Sequence, residues 1–250
     1  MALRAILFDL FDTLVDLHMD ALPEVEIAGR RFPSTLGALH RTAAAWSDAT
    51  LEEFAAALRK SDAELHARHW NAGRELPTLL RFEVFCRGFG IAAPEAPELL
   101  TRAHMGGLRS QMRALPHHAR LLERLRARWP LGLVSNFSHS PTALEVLRDA
   151  GLERQLDAIA ISDRVGIRKP RPEIFRDALA QLGLAPEEAV HVGDDLVADV
   201  AGAAELGMRT VWITRRKPEP DALLAAHAGA RPSHRIADLA ELPAWLERQA

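Results

Sequence analysis

From residue 131 onward the chain alternates between two patterns: short apolar runs of four or five residues, and amphipathic stretches. The apolar runs are Leu131 to Val134, Asp157 to Ile161, Ala189 to Val192 and Arg209 to Ile213. The stretches between them are Thr142 to Ala150, Pro172 to Leu182 and Leu196 to Leu206, stopped by Gly151, Gly183 and Gly207. Strands separated by helices of about ten to fifteen residues are crossover units, and crossover units build a mostly parallel sheet. Ala2 to Phe8 is a further apolar run, interrupted only by Arg4 and ended by Asp9. A short apolar run is not told from a helix by its period alone. The polar break at Asp9 and the later alternation decide for a strand. The expected fold is α/β, with a doubly wound, mostly parallel sheet.

Between about Leu17 and Gly107 the alternation stops. Thr50 and Glu53 have the spacing of a capping box, and Leu51, Phe54, Ala55, Leu58 and Leu65 follow helical spacing. Pro77 opens a second helix through Leu79, Leu80, Phe82, Val84 and Phe85, closed by Gly88 and Gly90. Pro94 to Leu108 is a third. No strand is expected in this stretch. The chain therefore divides into an α/β core, residues 1–15 and 113–250, and an inserted helical unit, residues 16–112. Gly106 and Gly107 offer permissive backbone for a hinge where the chain returns to the core.

Composition removes several function classes. A single cysteine, Cys86, excludes an intramolecular disulfide framework and a cysteine-only zinc site. The N-terminal apolar run is broken by Asp9, Asp12 and Asp16, which fits neither a signal peptide nor a membrane span; a cytoplasmic protein is expected. A net charge of −3 gives no basic field for nucleic acid, and residues 16–112 carry 11 basic and 13 acidic side chains, so they form no cationic funnel.

In open parallel sheets, ligands bind beyond the carboxyl ends of the strands. The first strand ends at Asp9, the second at Ser135 and Asn136, and the fourth at Asp194 and Asp195. The loop after the third carries Lys169 between Gly166 and Pro170. Each has an ordinary reading by itself. An aspartate after a strand often caps a helix, Ser-Asn is a common turn, and a lysine is usually a solvated charge. Lysine is scarce here, however: only Lys60, Lys169 and Lys217 among 31 basic residues. Carboxylates, an ammonium and a hydroxyl, each at a strand end, form an unusual set.

The set resembles the motifs of the haloacid dehalogenase-like hydrolase superfamily. Ile6-Leu7-Phe8-Asp9-Leu10-Phe11-Asp12-Thr13-Leu14 is similar to its first motif, Ser135-Asn136 to its second, Gly166 to Phe175 around Lys169 to its third, and His191-Val192-Gly193-Asp194-Asp195-Leu196-Val197-Ala198-Asp199 to its fourth. The helical insertion resembles the C1-type cap of that superfamily. The resemblance implies that Asp9 is a nucleophile forming a covalent aspartyl intermediate. It implies that Thr13 and Ser135 hydrogen-bond the transferring group with the Asn136 backbone, and that Lys169 holds Asp9 and the substrate's negative charge. Mg²⁺ would be held by Asp9, the backbone carbonyl of Phe11 and Asp194, with Asp195 and Asp199 as ligands or one shell further out. The implied partner is a small-molecule substrate, with no nucleic acid and no membrane. Oligomeric state is left open.

The sequence departs from the phosphatase pattern at Phe11, where those enzymes carry an aspartate that protonates the leaving oxygen and then activates water. Dehalogenases of the superfamily also lack that aspartate and often have an aromatic there, but they work without metal and tend to have a Ser-Asn type sequence at the fourth motif. Gly193-Asp194-Asp195 gathers negative charge that calls for a cation. Three readings follow: a Mg²⁺-dependent phosphatase of small monoesters, a metal-independent 2-haloacid dehalogenase, or a weakly active or inactive member that binds a ligand or partner. His117 and His118 are expected at a solvated helix start rather than on a metal. His18 is a candidate substitute acid/base beside the first motif.

Overall fold

The computed structural model describes residues 2–249. The first strand, β1 (Ala5–Phe8), is buried along its whole length. Its residues alternate between two cores: Ile6 and Phe8 pack on one face of the sheet, Ala5 and Leu7 on the other. A strand covered on both faces needs no polar side, which is why this stretch shows no alternation. The chain then forms β2 (Val15–Leu17) and a hairpin of β3 (Glu24–Ile27) and β4 (Arg30–Pro33). Four helices follow: α1 (Leu36–Ala43), α2 (Leu51–His69), α3 (Thr78–Phe89) and α4 (Ala96–Arg109). The return to the sheet runs through β5 (Met112–Ala114) into α5 (Pro116–Arg126).

The alternating half comprises β6 (Leu131–Ser135), α6 (Ser140–Asp149), β7 (Ala158–Ile161), α7 (Ser162–Val165), α8 (Pro172–Leu182) and β8 (Ala189–Gly193). A wide helical turn, Leu196–Ala201, then leads into α9 (Gly202–Glu205) and β9 (Arg209–Ile213). The chain closes with α10 (Pro220–Ala226), β10 (His234–Ile236) and α11 (Leu242–Glu247). Six strands form one parallel sheet in the order β10-β9-β8-β1-β6-β7. Helices α5, α6 and α11 cover one face, and α8 and α9 the other, so the sheet is doubly wound. From β1 the chain builds outward through β6 and β7, then crosses back to β8. The carboxyl ends of β1, β6 and β8 therefore flank a topological switch point. A Cβ on Gly132 of β6 would sit 2.5 Å from Leu7 Cδ2 on the neighbouring strand, so glycine here lets that buried side chain keep its place.

The inserted helices have their own apolar cluster, built on Leu39, Phe54, Phe82, Phe85 and Leu100. The capping box of α2 forms as expected, with Glu53 N donating to Thr50 Oγ1 at 3.3 Å and Thr50 N to Glu53 Oε2 at 2.9 Å. Two expectations fail in this part of the chain. The stretch expected to lack strands contains the β3–β4 hairpin, whose Val25 and Ile27 are buried while Glu24 and Glu26 are exposed. Its turn places Ala28 and Gly29 at φ 49° and 72°, the left-handed pair of a tight hairpin. Gly106 and Gly107 are no hinge: both lie inside α4, and a Cβ on Gly107 would come within 2.9 Å of Thr35 Cγ2. Close packing of α4 explains that glycine. The two chain crossings are instead zipped together as antiparallel β2 and β5. β10, not foreseen, is a three-residue edge strand too short and polar to show a period. No helix among the described residues is long and apolar enough to cross a membrane.

Candidate active site

Asp9 leaves the end of β1 with its backbone N–H donating to Val192 O of β8 at 2.9 Å, which fixes its carboxylate over the switch point. Lys169 Nζ lies 2.5 Å from Asp9 Oδ1 and 2.6 Å from Asp199 Oδ1. The lysine is held from behind: Asn136, just past β6, accepts from Lys169 N at 2.7 Å and donates to Lys169 O at 3.0 Å. Asp199 Oδ1 also meets His191 Nε2 at 2.9 Å, and its Oδ2 accepts from Asp195 N at 3.0 Å. Both of its oxygens are thus engaged. Gly193 makes this possible, because a Cβ there would collide with the Asp199 carboxylate. Asp194 points elsewhere in the same cluster, with Oδ2 2.5 Å from Lys217 Nζ and its carbonyl accepting from Trp212 Nε1 at 2.9 Å.

The Thr13 and Ser135 hydroxyls are buried and have no hydrogen-bond partner among the described residues. Idle buried hydroxyls carry a desolvation cost that a bound ligand's oxygen removes. The electrostatics are equally unrelieved. Burial pushes the Asp9 carboxyl well above the ordinary range, against the pull of Lys169, and the charges of Asp199 and Asp194 push the same way. Burial likewise raises Asp194 to about 6, helped by Asp199 and opposed by Lys217. Asp199 goes the other way: burial opposes its ionisation, but Lys169 and His191 hold it far below the usual range. Burial also drives His191 down, so that ring is a neutral strut for Asp199.

One oxygen from each of Asp9, Asp194 and Asp199 lies within 4.8 Å of the others. Mg²⁺ takes oxygen ligands, prefers one or two carboxylates and keeps several waters. Asp9 and Asp194 fit that demand: burial raises both, and three carboxylates here face two ammonium groups. Asp199 lies in the cluster, but its hydrogen bonds make it the holder of Lys169. Asp195 does not join: it is exposed, and its Oδ1 caps the following turn by accepting from Val197 N and Ala198 N at 2.8 and 2.7 Å. Of the two roles expected for it, its side chain caps the turn while its backbone N–H supports Asp199 one shell further out. The Phe11 ring packs on Phe137, with centroids 4.8 Å apart. Asp12, at φ 58°, turns its carboxylate to Leu17 N at 3.1 Å and Arg216 Nε at 2.8 Å.

The sequence assigns no role to Lys217 or His191. Lys217 carried a signal, being one of three lysines and standing just past the carboxyl end of β9; His191 was hidden inside an apolar strand. His118 corrects another expectation. It is buried, not solvated, and its Nδ1 bonds the Leu14 carbonyl oxygen at 2.8 Å. His117 Nε2 lies 3.2 Å from Asp238 Oδ1, and the three side chains approach one another. Asp238 is already occupied, capping Ala240 N at 2.8 Å with Arg215 Nε 3.8 Å away, and that guanidinium charge opposes a cation there. His18 stands beside Arg216, Nδ1 to Nη1 3.4 Å.

A model of the haloacid dehalogenase-like hydrolase family matches residues 3–207. A phosphoserine phosphatase of Thermus thermophilus is 43% identical over 100 residues, which are 39% of this chain and 37% of that protein. A glyceraldehyde 3-phosphate phosphatase of Methanopyrus kandleri is 45% identical over 73 residues, 29% of this chain and 31% of that protein. The matched segments span only about a third of these curated relatives. Among solved structures, a 2-haloacid dehalogenase from Pseudomonas syringae pv. Tomato superposes with a TM-score of 0.70 at 23% identity, covering 99% of this chain and 100% of that one. The magnesium-bound HAD-hydrolase YfnB of Bacillus subtilis gives 0.59 at 22% identity, covering 98% and 99%. At such identities these two show the fold alone. With the family match running over most of its length and its motifs meeting at one sheet edge, the chain belongs to the haloacid dehalogenase-like hydrolases.

Proposed function

We propose that this hydrolase is a Mg²⁺-dependent phosphatase of small phosphate monoesters, with Asp9 as nucleophile. The observation that carries the reading is the charge balance at the switch point: three carboxylates, Asp9 and Asp199 buried and Asp194 half-buried, face two ammonium groups, and burial raises Asp9 and Asp194. Mg²⁺ on Asp9, Asp194 and the Phe11 carbonyl would keep both carboxylates ionised and neutralise a phosphoryl group. Lys169 grips Asp9 Oδ1, leaving the second oxygen to attack phosphorus. Thr13 and Ser135, idle as they stand, donate to the phosphoryl oxygens. The P–O ester bond breaks, the leaving oxygen departs with the electron pair, and water then hydrolyses the aspartyl-phosphate. Residues 1–15 and 113–250 serve as the core and 16–112 as the cap that excludes water.

The phosphatase-named relatives support phosphoryl transfer. The ring of Phe11 supplies no proton to the leaving group, so esters with good leaving groups, such as nitrophenyl phosphate, react far better than alkyl phosphates. The second reading, haloacid dehalogenation, is favoured by that same Phe11, since halide needs no proton. A panel of phosphate esters and 2-haloacids, assayed with Mg²⁺ and with chelator, separates them. Phosphate release that needs Mg²⁺ is expected; halide release in chelator with no phosphate release overturns the phosphatase reading.

A further inference from the structure

The segment between α2 and α3 reaches into the core and buries a carboxylate there. Glu75 is 3% exposed and its side chain is wholly covered. Arg168 Nη1 donates to Glu75 Oε1 at 2.8 Å and Oε2 at 2.6 Å, Leu76 N donates to Oε1 at 2.8 Å, and the Ser162 hydroxyl donates to Oε2. Backbone bonds run beside it: Glu75 N to Gly166 O at 3.0 Å, Arg168 N to Gly73 O at 2.9 Å, and Thr78 N to Ser138 O at 2.9 Å. The Arg168 guanidinium also lies over the Trp70 ring at 4.8 Å.

The partners of Glu75 are neighbours of the candidate catalytic groups. Arg168 directly precedes Lys169. Ser162 Oγ accepts from Phe137 N at 2.9 Å, and Phe137 directly follows Ser135 and Asn136. Asn136 in turn clasps both backbone groups of Lys169. The bonds close a ring: Glu75, Ser162, the Phe137 backbone, Asn136, Lys169, Arg168 and back to Glu75. One carboxylate from the inserted unit thus holds both loops that present Ser135 and Lys169 to Asp9.

Stability of the inserted helices alone gives no reason for a charge at this place. Glu75 lies in the connection between α2 and α3, and its side-chain partners outside that connection, Arg168 and Ser162, belong to the core. Replacing a buried ion pair by apolar residues is often neutral or stabilising, whereas a broken one leaves a buried charge without its partner. From this ring we infer that Glu75 is a positioning residue: it makes the placement of Lys169 and Ser135 depend on the seating of the inserted helical unit against the sheet edge. With the unit lifted away, Arg168 and Ser162 lose their shared acceptor and the two loops are held only by the core. The inference rests on the phosphatase reading for its kinetic consequence, but not for its structural one.

The test uses Glu75→Gln, which keeps an acceptor for Ser162 and removes the charge facing Arg168, together with Arg168→Met and the double variant. Misplacement of reacting groups by about 1 Å costs up to roughly 10²-fold. A fall in kcat of about 10- to 100-fold is expected for either single variant, with KM for nitrophenyl phosphate and Mg²⁺ affinity by calorimetry within about threefold of wild type. The double variant is expected to lose no more than the worse single, because both break one contact. Amide hydrogen exchange is expected to quicken at residues 136–139 and 166–170 and to stay unchanged in β1 and β8. Additive losses, an unchanged kcat, or exchange that quickens evenly throughout the chain would overturn the assignment. Should wild type hydrolyse no phosphate ester, the phosphatase reading fails, while exchange at the two loops still decides whether Glu75 holds them.

Discussion

Asp9 and Asp16 stand seven residues apart, both buried, in opposite electrostatic circumstances. Asp9 belongs to a sheet edge where carboxylates outnumber cations, and burial leaves it raised. Asp16 lies in β2, where the chain leaves the sheet, and both of its oxygens are met by the Arg215 guanidinium fork, one of them at 2.8 Å. Burial opposes Asp16 too, yet the Arg215 hydrogen bonds and charge hold it below its ordinary value. A crossing point needs its ends fastened, and a paired charge does that. A reacting site needs groups whose charge and hydrogen bonds are completed by what binds. Perturbed, unrelieved groups in a cleft therefore mark function, whereas equally buried but matched ones mark scaffold.

The largest effect separating the two regions is expected from the isosteric pair Asp9→Asn and Asp16→Asn. Asp9→Asn removes the proposed nucleophile and should lower turnover by at least about 10³-fold, with no drop in thermal midpoint, since it removes a charge from a crowded cluster. Steady-state rates and a thermal melt check both; turnover above a few per cent of the wild-type rate would dismiss Asp9 as nucleophile. Asp16→Asn should show the reverse, near-normal chemistry with a loss of about 2 kcal/mol, read from denaturant unfolding.

Next in size is Lys169→Met. The ammonium opposes the upward push on Asp9, so its removal raises that carboxyl further. Turnover should drop by about 10²-fold, and because Asp9 must be ionised to attack, the acidic limb of the rate profile should move to higher pH. A normal rate with an unmoved limb breaks the comparison at its centre.

The smallest effect is a difference in pH dependence without metal. Asp194 is raised in the folded state to about 6. Between its unfolded value near 3.8 and about 6, the folded chain binds the extra proton, so this group favours folding as pH falls through that window. Asp16 is lowered from 3.8, so its contribution is present above that value and is lost as pH drops below it. Thermal melts in chelator should show Asp194→Asn flattening the slope between about pH 4 and 6, and Asp16→Asn flattening it below about pH 4. The same flattening from both variants would show that the two carboxylates do not differ.

Local order carried much of the outcome in the alternating half. Each apolar run between residues 131 and 213 became a sheet strand, and each strand-end residue singled out there lies at the carboxyl edge, because a strand buried on both faces has no choice but to be apolar until it emerges. Partners across the fold were invisible. The β3–β4 hairpin shows a plain alternation, Glu-Val-Glu-Ile, before Ala28-Gly29, but its four-residue strands are easily lost beside long helices. Asp194 and Asp195 are adjacent and chemically identical, and nothing local tells which one turns to the cluster and which caps the next turn.

The succession of strands and helices from residue 131 to 213, the nucleophile candidate at the end of β1 and the lysine set among arginines follow from the chain as written, because each depends on residue type and on neighbours a few positions away. What only the tertiary structure decided is who answers whom. Lys217 comes to Asp194 from 23 positions along the chain, Glu75 to Arg168 across 93, and Arg215 to Asp16 across 199. Whether a buried charge is relieved depends on distances of a few ångströms between segments that sequence keeps far apart, and those distances exist only once the sheet has closed.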